Sequence, residues 1–197
     1  MQSQSIIALV KGLPKKYSEV GFKNFIDRND NDKEAKSKCL EFIKQGGKGM
    51  FFCGAVGTGK THLAFACLRN MQPIPTEGGY LRRCCSSILN ADEFFMILND
   101  AIAERKSKLE IIKSLLNDND VFCLDDLGTK NFTEAKQENL YALVNHAYLN
   151  EKKIIITTNF TLDDIARFDE RISSRIVEMC DVIMLTGKDY RLSKITN

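Results

Sequence analysis

The sequence contains no tryptophan, only three prolines and only two histidines among its 197 residues. It also lacks any apolar run near the roughly 20 residues that a helix needs to span a bilayer. Its first ten residues have neither the basic leader nor the long apolar stretch of a signal peptide. The lack of a spanning run and of a signal-peptide pattern argues against a membrane or secreted protein. We therefore expect a cytoplasmic protein with no membrane partner.

The seven cysteines form no C-x-x-C pair, so their spacing gives no indication of a zinc or redox site. Cys53, Cys67 and Cys123 lie inside apolar runs, where cysteine behaves as a small buried hydrophobic residue. Cys84 and Cys85 are adjacent, which does not suit an ordinary disulfide. We expect all seven to be reduced thiols in a reducing compartment.

A chain of this length is enough for one domain with a sizeable core and too short for two ordinary ones. Its 44% hydrophobic and 27% charged residues are typical of a soluble globular protein. The net charge of +2 neither requires nor excludes a nucleic-acid partner. A protein that coats DNA is usually more basic.

The run from Gly54 to Thr61 matches G-x-x-x-x-G-K-[ST], a glycine-rich loop that wraps nucleotide phosphates. An apolar strand at 49–53 precedes it and a helical run at 62–68 follows it. Lys60 would reach the β- and γ-phosphates of ATP, and the Thr61 hydroxyl would ligate Mg²⁺. A glycine-rich turn that binds nothing is the alternative, which the strand–loop–helix context disfavours. The residues predicted to hold the nucleotide are Gly54, Val56, Gly57, Thr58, Gly59, Lys60, Thr61 and His62.

Strand-like runs that are apolar on both faces alternate with helical runs. This pattern predicts a three-layer α/β fold, in which helices cover both sides of a parallel sheet of about five strands. Residues 1–20 are predicted to be an N-terminal tail or one short helix, and residues 192–197 a C-terminal tail. The predicted strands are 49–53, 80–86, 121–124, 153–158 and 182–185.

Three polar groups fall at the carboxyl ends of predicted strands, which is where parallel sheets bind ligands. Besides the glycine-rich loop these are Asp125-Asp126 and Asn159. Asp125 is expected to hold Mg²⁺, and Asp126 to polarise the attacking water. Asn159 would hydrogen-bond that water or the γ-phosphate. Alternatively, Asp126 caps a turn and Asn159 satisfies backbone groups of its loop.

Two basic groups lie outside these strand ends. Arg171 and Arg175 are four residues apart on a predicted helix and share a face, so either could reach a γ-phosphate or form a surface ion pair. Arg105, Lys106 and Lys108 form a basic run that is either a solvated linker or a contact for nucleic acid.

Taken together, these segments resemble the AAA+ ATPase domain of bacterial replicative helicase loaders of the DnaC/DnaI type, to which the transposition helper ATPase IstB is related. The resemblance covers roughly residues 20–191 and implies an AAA+ domain at 21–191. It rests on the glycine-rich loop with His62-Leu63-Ala64, on Leu124-Asp125-Asp126-Leu127-Gly128, on Ile155-Ile156-Thr157-Thr158-Asn159 and on 170–179. Phe22–Phe25 and 186–191 resemble the entry and closing segments of the family.

The resemblance implies roles for individual residues. Lys60 and Thr61 become Walker A residues, Asp125 the Walker B metal carboxylate and Asn159 sensor 1. Asp126 stands where many AAA+ proteins have a catalytic glutamate. Arg175 matches the arginine finger that reaches the ATP of an adjacent subunit, Arg171 is the alternative finger, and Arg191 is a sensor 2 candidate. Residues 87–116 correspond to a region that contacts single-stranded DNA.

Two departures concern the partner of the protein. Barely 20 residues precede the matched region, where family members carry a partner-binding domain. The chain also ends just after Arg191, so we expect no C-terminal helical lid.

The expected function is an ATP-hydrolysing helicase loader that assembles as an oligomer on single-stranded DNA with a hexameric replicative helicase. Its turnover would be weak and dependent on assembly or DNA. The alternatives are a transposon-encoded ATPase that selects target DNA and a non-catalytic module switched by nucleotide. A small-molecule kinase is disfavoured by the Thr-Thr-Asn and Ser-Arg patterns.

Overall fold

The computed structural model describes residues 9–45, 47–128 and 132–190. Its strands are β1 (Leu9–Lys11), β2 (Gly49–Gly54), β3 (Ile74–Pro75), β4 (Leu81–Arg82), β5 (Cys85–Asn90), β6 (Val121–Leu127), β7 (Lys153–Thr158) and β8 (Cys180–Leu185). Its α-helices are α1 (Asp30–Gln45), α2 (Lys60–Arg69), α3 (Ala91–Ala103), α4 (Lys108–Asn117), α5 (Glu134–Leu149), α6 (Leu162–Phe168) and α7 (Glu170–Met179). A 3-10 helix covers Lys15–Tyr17.

Six strands form one parallel sheet in the order β1-β5-β6-β7-β2-β8. The short strands β3 and β4 pair separately and antiparallel. Neighbours such as β2 and β7 are far apart in the chain, so crossover helices must connect them. The three-layer α/β fold is therefore confirmed, with six strands in the parallel sheet instead of about five.

Helices cover both faces because successive side chains of a strand point to opposite sides. On β2, Phe51 packs into the apolar layer that includes α3, α4, α5 and α7, whereas Met50 and Phe52 pack into the layer of α1 and α2. All three side chains are fully buried. The strands that carry the polar residues at their ends are thus fixed by packing on two sides.

The sixth strand, β1, comes from the segment in which the sequence predicts a tail. Leu9, Val10 and Lys11 pair with β5 at the edge of the sheet. Gly12 follows with φ +79°, and a Cβ atom there would lie 2.4 Å from the carbonyl oxygen of Ile88. Three residues are too few to show a strand periodicity, which explains why this strand is missed from sequence.

The predicted strand at 80–86 is wrong in its bounds, because this stretch belongs to two different elements. Its first part forms β4, and its end begins β5 in the main sheet. Arg82 is therefore outside the core, where it makes a bidentate ion pair with Asp120 at 2.6 and 2.7 Å. This position explains how two consecutive arginines are tolerated next to a buried strand.

The outer end of the sheet is closed by an asparagine side chain. Asn31, in the first turn of α1, donates through Nδ2 to the carbonyl oxygen of Met184 at 2.8 Å. Its Oδ1 accepts from the backbone N–H of Thr186 at 3.0 Å. Backbone groups at the end of β8 are thus hydrogen-bonded by a side chain instead of by a further strand.

All seven cysteines carry free thiols, as expected. Burial raises the pKa of the Cys84 thiol to about 11, so it is protonated at neutral pH. Among the described helices, none is both long and apolar enough to cross a membrane.

The close approach at Gly12 makes the attachment of β1 testable. We expect Gly12→Ala to lower the free energy of unfolding by about 1–3 kcal/mol, because the new methyl group meets a backbone carbonyl and the backbone is left-handed. Gly21→Ala is the matched control, since a Cβ there meets no atom within 4 Å. Chemical denaturation measures both, and equal stability of the two variants would contradict the close packing of β1.

Candidate nucleotide-binding site

Three glycines shape the loop between β2 and α2. Gly54, Gly57 and Gly59 have φ values of +131°, +73° and +104°. A Cβ atom on Gly57 would collide with the carboxylate of Asp189, and one on Gly54 with the carbonyl oxygen of Leu185. Glycine is therefore required for both conformation and space at Gly54, where the neighbour is backbone, and for conformation at Gly57. The loop can then turn its backbone N–H groups inward.

Lys60 lies at the start of α2 with its ammonium group inside the loop. Nζ donates to the carbonyl oxygens of Gly54 at 2.8 Å and Ala55 at 2.7 Å. The Thr58 hydroxyl also donates to Ala55, at 2.8 Å. A buried ammonium beside the positive end of a helix makes the loop a binding site for an anion.

Asp125 lies at the carboxyl end of β6, beside this helix end. Its Oδ1 accepts from the hydroxyl of Thr61 at 2.9 Å and from that of Thr157 at 2.7 Å. Burial raises the pKa of the Asp125 carboxyl, while these two hydrogen bonds act in the opposite direction. A carboxylate and a hydroxyl in contact are oxygen donors of the kind that Mg²⁺ prefers.

Asp126 is exposed and has φ +59°, which is unusual for a residue other than glycine. Its backbone N–H donates to the Thr157 hydroxyl at 2.8 Å. The ladder between β6 and β7 shifts register between Leu124 and Leu127, so the two aspartates lie within this irregularity. The shift places the two consecutive residues in different surroundings: Asp125 is half-buried and Asp126 is open to the cleft.

The predicted phosphate, metal and catalytic residues line a single cleft of about 530 Å³. Asn159 follows β7 and lies in its wall. The site residues it brings together are Val56, Gly57, Gly59, Lys60, Thr61, His62, Asp125, Asp126 and Asn159. Gly54 and Thr58 belong to the same loop, whose carbonyl groups and hydroxyl hold it in shape as described above.

Arg28, which belongs to no recognisable sequence motif, also stabilises the loop. Its guanidinium donates to the carbonyl oxygen of Thr58 at 2.6 Å. It also makes two hydrogen bonds to the carboxylate of Asp32, at 2.8 and 3.1 Å, and that side chain is fully buried. A bidentate pair fixes the guanidinium, and hence the loop, more firmly than one bond would.

Further contacts hold the two ends of the loop. His62 contacts the carbonyl oxygen of Gly21 through Nε2 at 2.9 Å, and burial lowers the pKa of its imidazole. The backbone N–H of Tyr190 donates to Gly57 at 3.1 Å. The segment around Gly21 and the segment around Tyr190, which are far apart in the sequence, therefore meet at the loop.

Several residues of the site were not identified by sequence reasoning. Thr157 stands inside the quoted Thr-Thr-Asn pattern, and its place two residues before Asn159 on a buried strand is the only signal for it. Lys16 and Tyr17 line the cleft, although their segment is predicted to be a tail. Nothing in the residue pattern alone places these two at the site.

The two candidate finger arginines do not line this cleft. Arg175 donates through Nε to Asn145 at 3.0 Å and lies 5.4 Å from the Tyr141 ring. Arg171 pairs with Asp169 at 2.7 Å and stacks 4.2 Å above the Tyr141 ring. Both arginines therefore lie on α7, away from the cleft residues of the same chain that would hold the nucleotide phosphates.

The three predicted DNA contacts lie in and just after the loop between α3 and α4. Arg105 is exposed, with φ +56°. Lys106 is exposed and pairs with Glu104, and the Lys108 ammonium donates to Asn139 at 2.9 Å. Lys108 thus links α4 to α5. The sensor 2 candidate, Arg191, lies outside the described residues.

A family model for the bacterial DnaA ATPase domain matches residues 16–181. The chain belongs to this family. The matched region contains the glycine-rich loop, both aspartates, Asn159 and Arg175.

Three individual proteins show how far the likeness extends. The phage-like element PBSX protein XkdC of Bacillus subtilis is 30% identical over 149 residues, which cover 71% of this chain and 51% of XkdC. A DnaC helicase loader has the same fold with a TM-score of 0.74 and 26% identity, over 88% of this chain and all of that one. A replication initiator DnaA bound to AMPPCP and single-stranded DNA has a TM-score of 0.64 and 22% identity, over 90% of this chain and 52% of that one.

This DnaA-family chain spans about half the length of XkdC. The likeness to the DnaA structure shows the fold alone, and that to the DnaC loader supports a resemblance to helicase loaders. The AAA+ assignment is thereby confirmed.

The hydroxyl of Thr157 joins Asp125 to Asp126, which makes its role testable. We expect Thr157→Val to lower magnesium-dependent ATP hydrolysis at limiting Mg²⁺ by about tenfold, the scale of losing an outer-sphere partner. Thr157→Ser should retain activity. Thr158→Val is the matched control, because Thr158 is equally buried on β7 but its hydroxyl accepts from Phe160 instead. Equal losses in both valine variants would contradict the assignment.

Proposed function

We propose that this protein binds ATP with Mg²⁺ and hydrolyses it, and that it acts as a helicase loader in DNA replication. The observation that carries the proposal is the contact of Thr61 with Asp125 at 2.9 Å, directly beside the glycine cradle and the Lys60 ammonium. Membership of a DnaA ATPase family supports the ATPase assignment. A protein with this role would work in the cytoplasm.

The donor set fits a magnesium ion that is shared with phosphate. Among the described residues, no group of three or more His, Cys, Asp or Glu side chains could hold a metal by itself. Thr61 and Asp125 provide two oxygen donors, and Mg²⁺ commonly combines one or two protein ligands with water and substrate phosphates. When bound, Mg²⁺ would neutralise charge on the β- and γ-phosphates.

The residues of the chain would then divide the work. The loop N–H groups and Lys60 orient the phosphates, for which Lys60 exchanges its carbonyl partners for phosphate oxygens. Asp126, exposed to the cleft, accepts a proton from the attacking water. Asn159 donates its amide to that water or to the γ-phosphate. Hydrolysis also needs a cation on the far side of the γ-phosphate, which we assign to Arg175 of a neighbouring copy.

Arg175 supports assembly because it lies outside the nucleotide cleft of its own chain. Asn145 and the Arg171 carbonyl hold its guanidinium on the α7 surface, at 3.0 and 2.9 Å. An arginine held in this way can be presented to another subunit at small entropic cost. We infer that the active unit is a homo-oligomer in which the cleft of one copy faces α7 of the next.

The assembly proposal predicts how activity depends on concentration. ATP turnover per molecule should rise with protein concentration, and it should fall to background in Arg175→Ala, since an arginine finger contributes roughly 10³-fold or more. Asp126→Asn should abolish turnover while ATP still binds. Arg167→Ala is the control, because Arg167 is an exposed arginine paired with Asp164 on α6.

Phosphate release from ATP measures turnover, and AMPPCP titration measures binding. Concentration-independent activity that is indifferent to Arg175 would overturn the assembly model. Binding without hydrolysis under every condition, with single-stranded DNA included, would favour a non-catalytic nucleotide switch.

The helicase and DNA partners are the further part of the proposal. The DnaC loader structure resembles this chain over the whole length of the loader chain, which favours a hexameric replicative helicase as partner. The DnaA relative that holds single-stranded DNA favours a DNA contact. Arg105 is the best placed of the three basic residues, because it is exposed, whereas Lys106 pairs with Glu104 and Lys108 is engaged with Asn139.

The DNA contact can be tested by fluorescence anisotropy with a labelled oligonucleotide and AMPPCP. We expect Arg105→Ala and Lys106→Ala together to weaken binding and to reduce its salt dependence, since each phosphate contact releases counterions. Lys113→Ala, an exposed lysine on α4, serves as the control. An unchanged affinity and salt slope in the double variant would remove this loop from the DNA contact.

A further inference from the structure

The N-terminal segment 9–17 crosses the carboxyl edge of the sheet and reaches the nucleotide cleft. It starts as β1, turns at Gly12 against the Ile88 carbonyl and ends in the 3-10 helix. The ring of Tyr17 then packs edge-on against Phe65 of α2, with 4.6 Å between centroids. Both ends of the segment are therefore anchored to the body of the protein.

Lys16 is carried into the cleft by this anchored segment. It lines the same cavity as Lys60, Thr61 and Asp125. Its Nζ lies 4.7 Å from the centroid of the Tyr17 ring, which holds the ammonium by a cation–π contact. Among the described residues, Lys16 forms no hydrogen bond and no ion pair. Its charge is thus available to a ligand in the cavity.

The charges that line the cavity show why another cation is needed. Three carboxylates line it, namely Glu93, Asp125 and Asp126, against the two ammonium groups of Lys16 and Lys60. ATP remains an anion with its magnesium ion, so its binding adds negative charge to a wall that already carries an excess of it. Without Lys16, Lys60 would be the only lysine or arginine in the described lining.

We propose that Lys16 is a second phosphate-binding residue, which contacts the terminal phosphate of ATP from the Asp125 side of the cleft. The inference rests on the proposed binding of ATP and deepens it. The segment leaves the sheet beside β5, whose Asn90 is the register partner of Asp125 on β6, and Lys16 lines the same cavity as Asp125.

The neighbouring lysine offers a matched control. Lys15 is also exposed and belongs to the same 3-10 helix, but it does not line the cavity. A loss that is specific to Lys16 therefore cannot come from the general charge of the segment.

Equilibrium titration with AMPPCP and with ADP, both with Mg²⁺, tests the proposal on native protein and on Lys16→Ala, Lys16→Arg and Lys15→Ala. We expect Lys16→Ala to weaken AMPPCP binding about tenfold, as for loss of one charge-assisted hydrogen bond, and ADP binding less than twofold. Lys16→Arg should restore most of the affinity, and Lys15→Ala should match native protein.

The outcomes separate this inference from the proposed function. If native protein binds neither nucleotide, the proposed function itself is wrong. If native protein binds AMPPCP and Lys16→Ala binds it equally well, only the role of Lys16 is overturned. Equal losses for AMPPCP and ADP would also overturn it, because the terminal phosphate would not be the group recognised. Thermal unfolding of each variant checks that the fold is intact.

Discussion

The site depends on one oxygen atom, Oδ1 of Asp125, which accepts hydrogen bonds from Thr61 and Thr157. Thr61 belongs to the first turn of α2, Asp125 to β6 and Thr157 to β7. The two hydroxyl groups therefore join three elements that are far apart in the sequence. Because the strands and the helix are buried on both sides, the position of each hydroxyl is set by the packing of the whole sheet. A shift of any one strand would separate these groups.

The irregularity in β6 gives the two aspartates different tasks. A regular strand would point consecutive side chains to opposite faces, where one of them would enter an apolar layer. The register shift before Leu127 and the left-handed backbone of Asp126 avoid this, since both carboxyl groups line the same cleft. The strain of that conformation is offset by the hydrogen bond to Thr157 and by the packing on either side.

The glycine-rich loop, Asp125 and the central strands themselves are predictable from sequence, because each has a strict local pattern, whereas the order of the strands in the sheet is not. Lys60 and Thr61 follow glycines at fixed spacing, and the apolar runs before Asp125 and Asn159 specify buried parallel strands. Thr157 is not predictable in the same way, since a threonine in a strand usually reflects β-propensity alone. Lys16 and Arg28 are also missed, because their positions result from long-range packing of short segments that have no periodicity.

The asparagine that closes the end of β8 also limits how copies of the protein can meet. An open edge strand is a template on which another chain can continue the sheet, and this is a common route to aggregation. Here Asn31 already occupies the Met184 carbonyl and the Thr186 amide, so a foreign strand would have to break both bonds before it could pair at this end. Growth of the sheet from one molecule into the next is thereby penalised at this end of β8.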